Sequence, residues 1–191
     1  MYDIKELVWE EHKNAERQEF VKTLMSGTID KELYAIYLYN QLNCYAELEK
    51  WGHHNGLFRH TTNLPRAEYL HRDYLKLWTD VGMPPKITES TKEYVEHIKT
   101  ITDEPEKLYA HVYVRHMGDL SGGQMISKKV PVKRYYDFGP NAQEYKRLVK
   151  ETINNYLNVY EKNVVVEAKL CFNYATRLFK EMNEISKKYD S

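Results

Sequence analysis

Gly118-Asp119-Leu120-Ser121-Gly122-Gly123-Gln124 places three glycines within six residues of a stretch that otherwise reads as one long helix opened by Pro105. Each glycine in a helix interior costs about 0.8–1 kcal/mol relative to alanine, so the run gives up roughly 2–3 kcal/mol of local stability. Gly118 and Gly122 are four residues apart and share one helix face. Bare of side chains, that face is a floor against which a large planar ligand can press. Two other readings compete with this one. Glycines also permit a close helix-helix contact, and residues 120–124 spell LSGGQ, the signature stretch of ABC-type ATPases. The nucleotide reading lacks its partner, because a phosphate-cradling loop requires G-x-x-x-x-G-K-[ST] and none of the eight glycines is followed by lysine.

Helical periodicity continues on both sides of the run. Ile4, Leu7, Val8, Ala15, Phe20 and Leu24 recur at three- and four-residue spacing between charges, predicting one amphipathic helix that ends at Gly27. Residues 30–51 predict a second. Pro65 reads as the first-turn proline of a third, which carries Tyr69, Leu70, Leu75, Leu77 and Trp78 and stops at Gly82-Met83-Pro84-Pro85. Residues 88–102 predict a fourth, Pro105 opens the glycine-bearing helix, and residues 130–140 form the substantial irregular connection. Two further helices are predicted over residues 141–157 and 159–188. With no strand pattern longer than four residues and no repeat, the expected fold is all-α, a single domain over residues 1–191.

Composition excludes several classes. Lys plus Arg equals Asp plus Glu at 28 each, so no electrostatic footprint for nucleic acid or an anionic membrane exists. The chain is long enough to bury about 70% of its unfolded surface and a ligand besides. Cys44 and Cys171 are too few for a disulfide framework and read as buried free thiols of a reducing compartment. Residues 1–11 mix acid, base and apolar residues unlike a signal peptide, and no apolar run near the C-terminus is long enough for an anchor. The expectation is a soluble, cytoplasmic, unanchored monomer.

Eight histidines invite a search for ligands. A ferritin-like di-iron bundle needs two Glu-x-x-His pairs, and only Glu68-Tyr-Leu-His71 is present. His53, His54 and His60 lack further ligands at zinc spacing. His12 differs, because it lies mid-helix beside Val8 and Ala15, with Glu16 one turn onward to orient its second ring nitrogen. The seventeen tyrosines fall mostly at helical spacing and read as core filler, Tyr45 and Tyr113 excepted. The flat ligand that best suits a glycine floor is haem, and His12 could offer its iron one ring nitrogen, although a lone helical histidine is more often an ordinary polar residue than a ligand.

The chain resembles a haem oxygenase. The stretch Ala110-His-Val-Tyr113-Val-Arg115-His-Met-Gly118-Asp119-Leu-Ser-Gly122-Gly123-Gln124 is similar nearly residue for residue to that family's distal-helix signature. The first helix, with His12, Ala15 and Glu16, resembles the proximal helix, and Glu167-Ala168-Lys169 with Phe172 extends the likeness to the last helix.

The resemblance implies a haem oxygenase-like helical fold, with haem sandwiched between a proximal and a kinked distal helix. Haem would be both cofactor and substrate, cleaved with dioxygen and external electrons to biliverdin, carbon monoxide and ferrous iron. It assigns His12 to the haem iron, and Gly118 and Gly122 to the distal floor. Asp119 becomes the residue that holds a water network and delivers protons, with Tyr45 and Arg115 as that network's outer members. Lys5, Lys146 and Lys150 match the cations of the haem propionates, with Tyr113 as a hydroxyl donor. Lys150 stands where relatives commonly have arginine, which bears on the IXα regiochemistry, and residues 130–140 are shorter than in many relatives. Implied partners are a soluble donor such as ferredoxin and a downstream bilin reductase. The alternative from another class is a non-catalytic haem-binding carrier or sensor on the same scaffold.

Overall fold

The computed structural model describes residues 3–79 and 82–190. Among them the chain is helical throughout: α1 (Ile4–Leu7), α2 (Trp9–Glu16), α3 (Glu19–Met25), α4 (Lys31–His54), α5 (Ala67–Leu77), α6 (Glu89–Lys99), α7 (Pro105–Leu120), α8 (Gly123–Ile126) and α9 (Ala142–Ser186), with 3-10 turns at Arg134–Tyr136, Gly139–Asn141 and Lys187–Tyr189. The expected all-α architecture is therefore the observed one.

Local chemistry sets several boundaries. The Asp30 carboxylate caps α4 by accepting from the backbone N–H groups of Glu32 and Leu33 at 2.8 and 3.1 Å. Thr88 caps α6 by accepting from Thr91 N–H. Pro105 occupies the first turn of α7, where its missing N–H costs nothing. Gly27 sits at φ +79°, a left-handed conformation that favours glycine, and ends the first helical region.

Three predicted boundaries need correction. The single first helix is three pieces, broken at Val8 (φ −118°, ψ 16°) and at Gln18, whose backbone is extended at ψ 141°. Each piece packs on α9, and the breaks let Ile4, Val8, Phe20 and Leu24 all reach the interior. The third helix begins at Ala67 rather than Pro65, because Glu49 of α4 supplies its cap: that carboxylate accepts from Arg66 N–H at 2.5 Å and Ala67 N–H at 2.7 Å. The last two helices follow one another as α9, which leaves helical geometry at Tyr160 (φ −124°, ψ 38°), close to the predicted division between residues 157 and 159.

The third correction concerns the glycine run. It is not interior to one helix, because α7 stops at Leu120, Ser121 adopts φ −114° and ψ −91°, and α8 restarts at Gly123. The helix penalty thus falls on a break rather than on a continuous rod.

Two apolar clusters fill the interior. One joins α4, α6, α7 and α9 through residues such as Leu48, Ile98, Leu108, Val112, Val149, Ile153 and Val164. The other joins α3, α4, α5 and the Arg134–Tyr136 turn through Phe20, Leu24, Leu38, Leu70, Tyr135 and Met182. The packing of α7 along α9 is the most extensive in the fold. Cys44 and Cys171 are both buried and free.

Candidate active site

The three glycines of the run have different surroundings. A Cβ built on Gly118 meets nothing within 4 Å, and one on Gly122 meets only the Gly118 carbonyl oxygen at 3.9 Å. A Cβ on Gly123 comes within 2.9 Å of two ring carbons of Tyr136. Close packing accounts for Gly123 alone. Gly118 and Gly122 present bare backbone to open space, which the helix-contact reading does not predict.

This contrast fixes an expected result. Gly123→Ala should lower stability by about 1–3 kcal/mol through overpacking, whereas Gly118→Ala should leave the ligand-free fold unharmed or stabilise it by up to about 1 kcal/mol. Haem uptake should show the reverse order, with Gly118→Ala the weaker binder. Thermal melts and haem titrations of both variants check this, and equal destabilisation would return Gly118 to the packing reading.

Beside the open face stands Asp119, buried near the end of α7. Its Oδ2 accepts from the Tyr45 hydroxyl at 2.5 Å and its Oδ1 from the Tyr135 hydroxyl at 2.5 Å. The two phenol oxygens are themselves 3.1 Å apart. Burial pushes the carboxyl up from 3.8 to about 6, against the phenol hydrogen bonds, which favour the ionised form. Asp119 is therefore a carboxylate able to exchange a proton close to neutral pH.

Arg115, one turn earlier, does not touch Asp119. Its guanidinium lies over the rings of Tyr94 and Tyr45 at 4.1 and 5.5 Å, Nη1 donates to Gln41 at 3.3 Å, and Nε is buried with no protein partner among the described residues.

On the opposite elements, His12 of α2 stacks on Phe172 of α9 with ring centroids 5.1 Å apart and planes 14° apart. Its Nε2 lies 2.8 Å from Glu16 Oε1, and the side chain stays 29% exposed. Ala15 is buried beside it. The structure thus brings His12, Glu16 and Phe172 together, and separately Tyr45 and Asp119. Lys5 Nζ rests over the Trp9 ring at 5.7 Å. Lys146 is half-buried and Lys150 exposed, one turn apart on α9, and neither forms an ion pair among the described residues. Tyr113 is buried on α7, its hydroxyl pushed up to about 12 by burial and by the nearby Asp3 carboxylate.

Three features escape the sequence reading. Tyr135 falls among the tyrosines taken as core filler, yet it binds Asp119 directly. Its place in an irregular connection, off any helical spacing, was the available signal. Glu49 and Glu167 brace α7 from either side. His116 pairs with Glu49 at 2.8 Å, and Glu167 accepts from His111 at 2.7 Å and His97 at 2.8 Å through one oxygen. Although burial raises the Glu167 carboxyl, the bonds from His111 and His97 prevail and hold it at about 2. These pairs join residues far apart in sequence, so no local pattern announces them.

Comparison with known proteins agrees with this fold. The family model described as heme oxygenase matches residues 2–181. Heme oxygenase 2 of Macaca fascicularis is 34% identical over 208 aligned residues, which cover 95% of this chain and 64% of that protein's length. The chain thus spans just under two thirds of that relative. The heme oxygenase of Guillardia theta is 33% identical over 195 residues, covering 90% of this chain and 81% of its own. The crystal structure of heme oxygenase-1 from the cyanobacterium Synechocystis, in complex with heme, superposes with a TM-score of 0.84 at 23% identity, covering 97% of this chain and 93% of that one, a likeness of fold. Because one family model accounts for nearly every residue and relatives a third identical extend over nine-tenths of the chain, this chain belongs to the heme oxygenase family.

Proposed function

We propose that this chain cleaves haem, bound as both cofactor and substrate, to biliverdin IXα, carbon monoxide and ferrous iron, using dioxygen and electrons from outside. The observation that carries the reading is the open face over Gly118 and Gly122 with Asp119 buried next to it, its two carboxylate oxygens held by Tyr45 and Tyr135. A carrier or sensor needs the face but has no use for the carboxylate.

The residues present fit the group. Gly118 and Gly122 leave room for a ring system that any Cβ would obstruct. His12 would ligate the iron from α2, oriented by Glu16 and steadied by Phe172. Lys5, Lys146 and Lys150 would pair with the propionates, and the Tyr113 hydroxyl would donate to one of them. Lysine grips a carboxylate as a point charge rather than as a fork, so the three cations act together to fix the ring's rotation and hence the carbon attacked. Bound haem supplies the metal that activates dioxygen.

Asp119, held by Tyr45 and Tyr135, would as an ionised carboxylate hold the water network that delivers protons, without a side chain filling the space above Gly118. Arg115 holds the ring of Tyr45 from behind.

Haem cleavage reduces part of the dioxygen it uses to water, and oxidation of the haem alone does not supply those electrons, so an external donor is required. We infer a small soluble protein of the ferredoxin type, with the product passing from a monomeric enzyme to a bilin reductase. No helix among the described residues is long and apolar enough to cross a membrane.

Haemin, a reductant and air added to the protein should bleach the Soret band while a bilin absorption grows. A Soret band that persists through repeated reduction would favour the carrier. Haem should also stabilise the fold, since a ligand bound only by the native state adds RT ln(1 + [L]/Kd), about 2.7 kcal/mol at a hundredfold excess over Kd. For a domain of this size that is a rise in Tm of about 5–10 °C. A melt that does not move with one equivalent of haem, the fold being intact, would sink the binding assignment.

A further inference from the structure

Tyr135 has a hydroxyl that packing does not require. Its ring is wholly buried in the second apolar cluster, where phenylalanine would fill nearly the same volume, and a buried hydroxyl without a partner is costly. Its two partners are Asp119 Oδ1 at 2.5 Å and the Tyr45 hydroxyl at 3.1 Å.

The backbone that carries it is held on three sides. Tyr135 N–H donates to Asp73 Oδ2 at 2.8 Å, and its carbonyl accepts from Arg66 Nη1 at 3.1 Å. Arg66 is itself wholly buried and donates also to the Asp137 carbonyl at 2.9 Å. From the other side, Gln124 Nε2 donates to the Asp119 carbonyl at 2.9 Å and to the Tyr136 carbonyl at 2.8 Å, stitching the end of α7 to this turn. The turn and the carboxylate are thereby fixed to each other, not merely neighbours.

We propose that Tyr135 is a positioning residue for Asp119: its hydroxyl occupies Oδ1 as Tyr45 occupies Oδ2, fixing the plane of the carboxylate and favouring its ionised form. The proposal deepens the haem-cleavage reading and rests on it for the role of Asp119, although the contact itself does not depend on haem. Two phenol donors on the two oxygens leave the carboxylate no rotation that keeps both bonds. Each bond is made to the ionised form in preference to the neutral one, so removing either donor should make the carboxyl easier to protonate.

Other groups act on the same carboxylate. His116 on its own helix and Arg66 at the start of α5 favour the ionised form. The Tyr37 hydroxyl on α4 is raised by burial first and by the Asp119 charge after it, and that of Tyr136 in the turn by burial, then by Tyr34 and Tyr37, and then by Asp119. Arg115 pulls on Tyr45 rather than on Asp119. None of these occupies Oδ1.

The test follows the Asp119 carboxyl in the full chain without haem, by 13C NMR with labelled aspartate and with Asp119→Asn to assign the resonance. Tyr135→Phe should raise the titration midpoint by about one unit, a tenfold change in the protonation equilibrium, and Tyr45→Phe should move it the same way. Site-specific 3-fluorotyrosine at position 135 keeps the packing and donates more strongly, so it should lower the midpoint. An unmoved midpoint in folded Tyr135→Phe, or a fluorotyrosine shift of the wrong sign, would overturn the proposal and reduce Tyr135 to packing. Should Tyr135→Phe unfold, the fluorotyrosine chain alone decides.

The haem-loaded chain separates this proposal from the reading beneath it. If the midpoint moves and the acid limb of biliverdin formation moves with it, both stand. If the midpoint moves while that limb does not, Tyr135 still positions Asp119 and the catalytic role of Asp119 fails instead.

Discussion

Asp119→Asn should take up haem nearly as well as the parent and form biliverdin at least about a hundredfold more slowly, the low end of what a positioned proton-transfer group contributes. Affinity should be spared because the face proposed to receive the ring is backbone at Gly118 and Gly122, and Asp119 is turned into the protein between two phenols. Turnover suffers because asparagine keeps the size and some hydrogen bonding but has no ionisable oxygen. Asp119→Ala should behave alike for turnover and in addition leaves two buried hydroxyls without their acceptor, so it should lose about 1–3 kcal/mol of stability. Parallel haem titrations and single-turnover bilin assays separate the two effects. Biliverdin formation at the parent rate in both variants would make Asp119 structural and send the proton path elsewhere.

The same residue predicts the acid limb of the pH profile. With its carboxyl at about 6 in the folded chain, the ionised fraction rises through that pH, and turnover that depends on it should rise there and flatten in Asp119→Asn. The linked effect on stability has the opposite sign. A carboxyl raised on folding binds more protons in the native than in the unfolded state between about pH 4 and 6, so its contribution to stability declines as pH climbs through that window. The folded chain tolerates that decline at neutral pH, and with it the desolvated charge that the proposed chemistry uses.

How much of this was legible in the sequence follows from the range of the interaction concerned. Periodicity and caps are local, so Asp30, Thr88 and Pro105 marked their helix starts correctly. Where the cap came from another helix, as Glu49 does for α5, the start was misplaced at Pro65. The glycine run announced a bare face because glycine's cost is local, but the break at Ser121 and the separate task of Gly123 against Tyr136 depend on a turn thirteen residues onward. Tyr45 could be singled out through the resemblance alone. Tyr135 could not, because its value lies in a hydroxyl aimed across the fold at Oδ1.

His12→Ala should lose the histidine-ligated haem spectrum altogether, while alanine at His111 or His116 should keep it. The distinction rests on what the ring nitrogens already do. His111 pairs through Nε2 with Glu167 at 2.7 Å and through Nδ1 with the Tyr94 hydroxyl at 2.9 Å, and it is wholly buried. His116 pairs with Glu49 at 2.8 Å and with the Val112 carbonyl at 3.2 Å, also wholly buried. To bind iron, either would have to abandon a buried partner, at a cost of several kcal/mol. His12 has one partner, Glu16, and an exposed edge. A reorientation of the side chain that turned Nδ1 to Glu16 would leave Nε2 for the metal while Glu16 fixes the tautomer. Glu16→Ala should therefore retain the ligand and weaken haem affinity about tenfold, the mild end for a group that orients a ligating histidine, because Glu16 is largely exposed. Absorption spectra of the ferric protein and of its carbon monoxide adduct read the ligation directly. A normal spectrum in His12→Ala, with loss in the His111 or His116 variant, would move the ligand to α7 and place iron on the same side as Asp119, which the proposed chemistry does not survive.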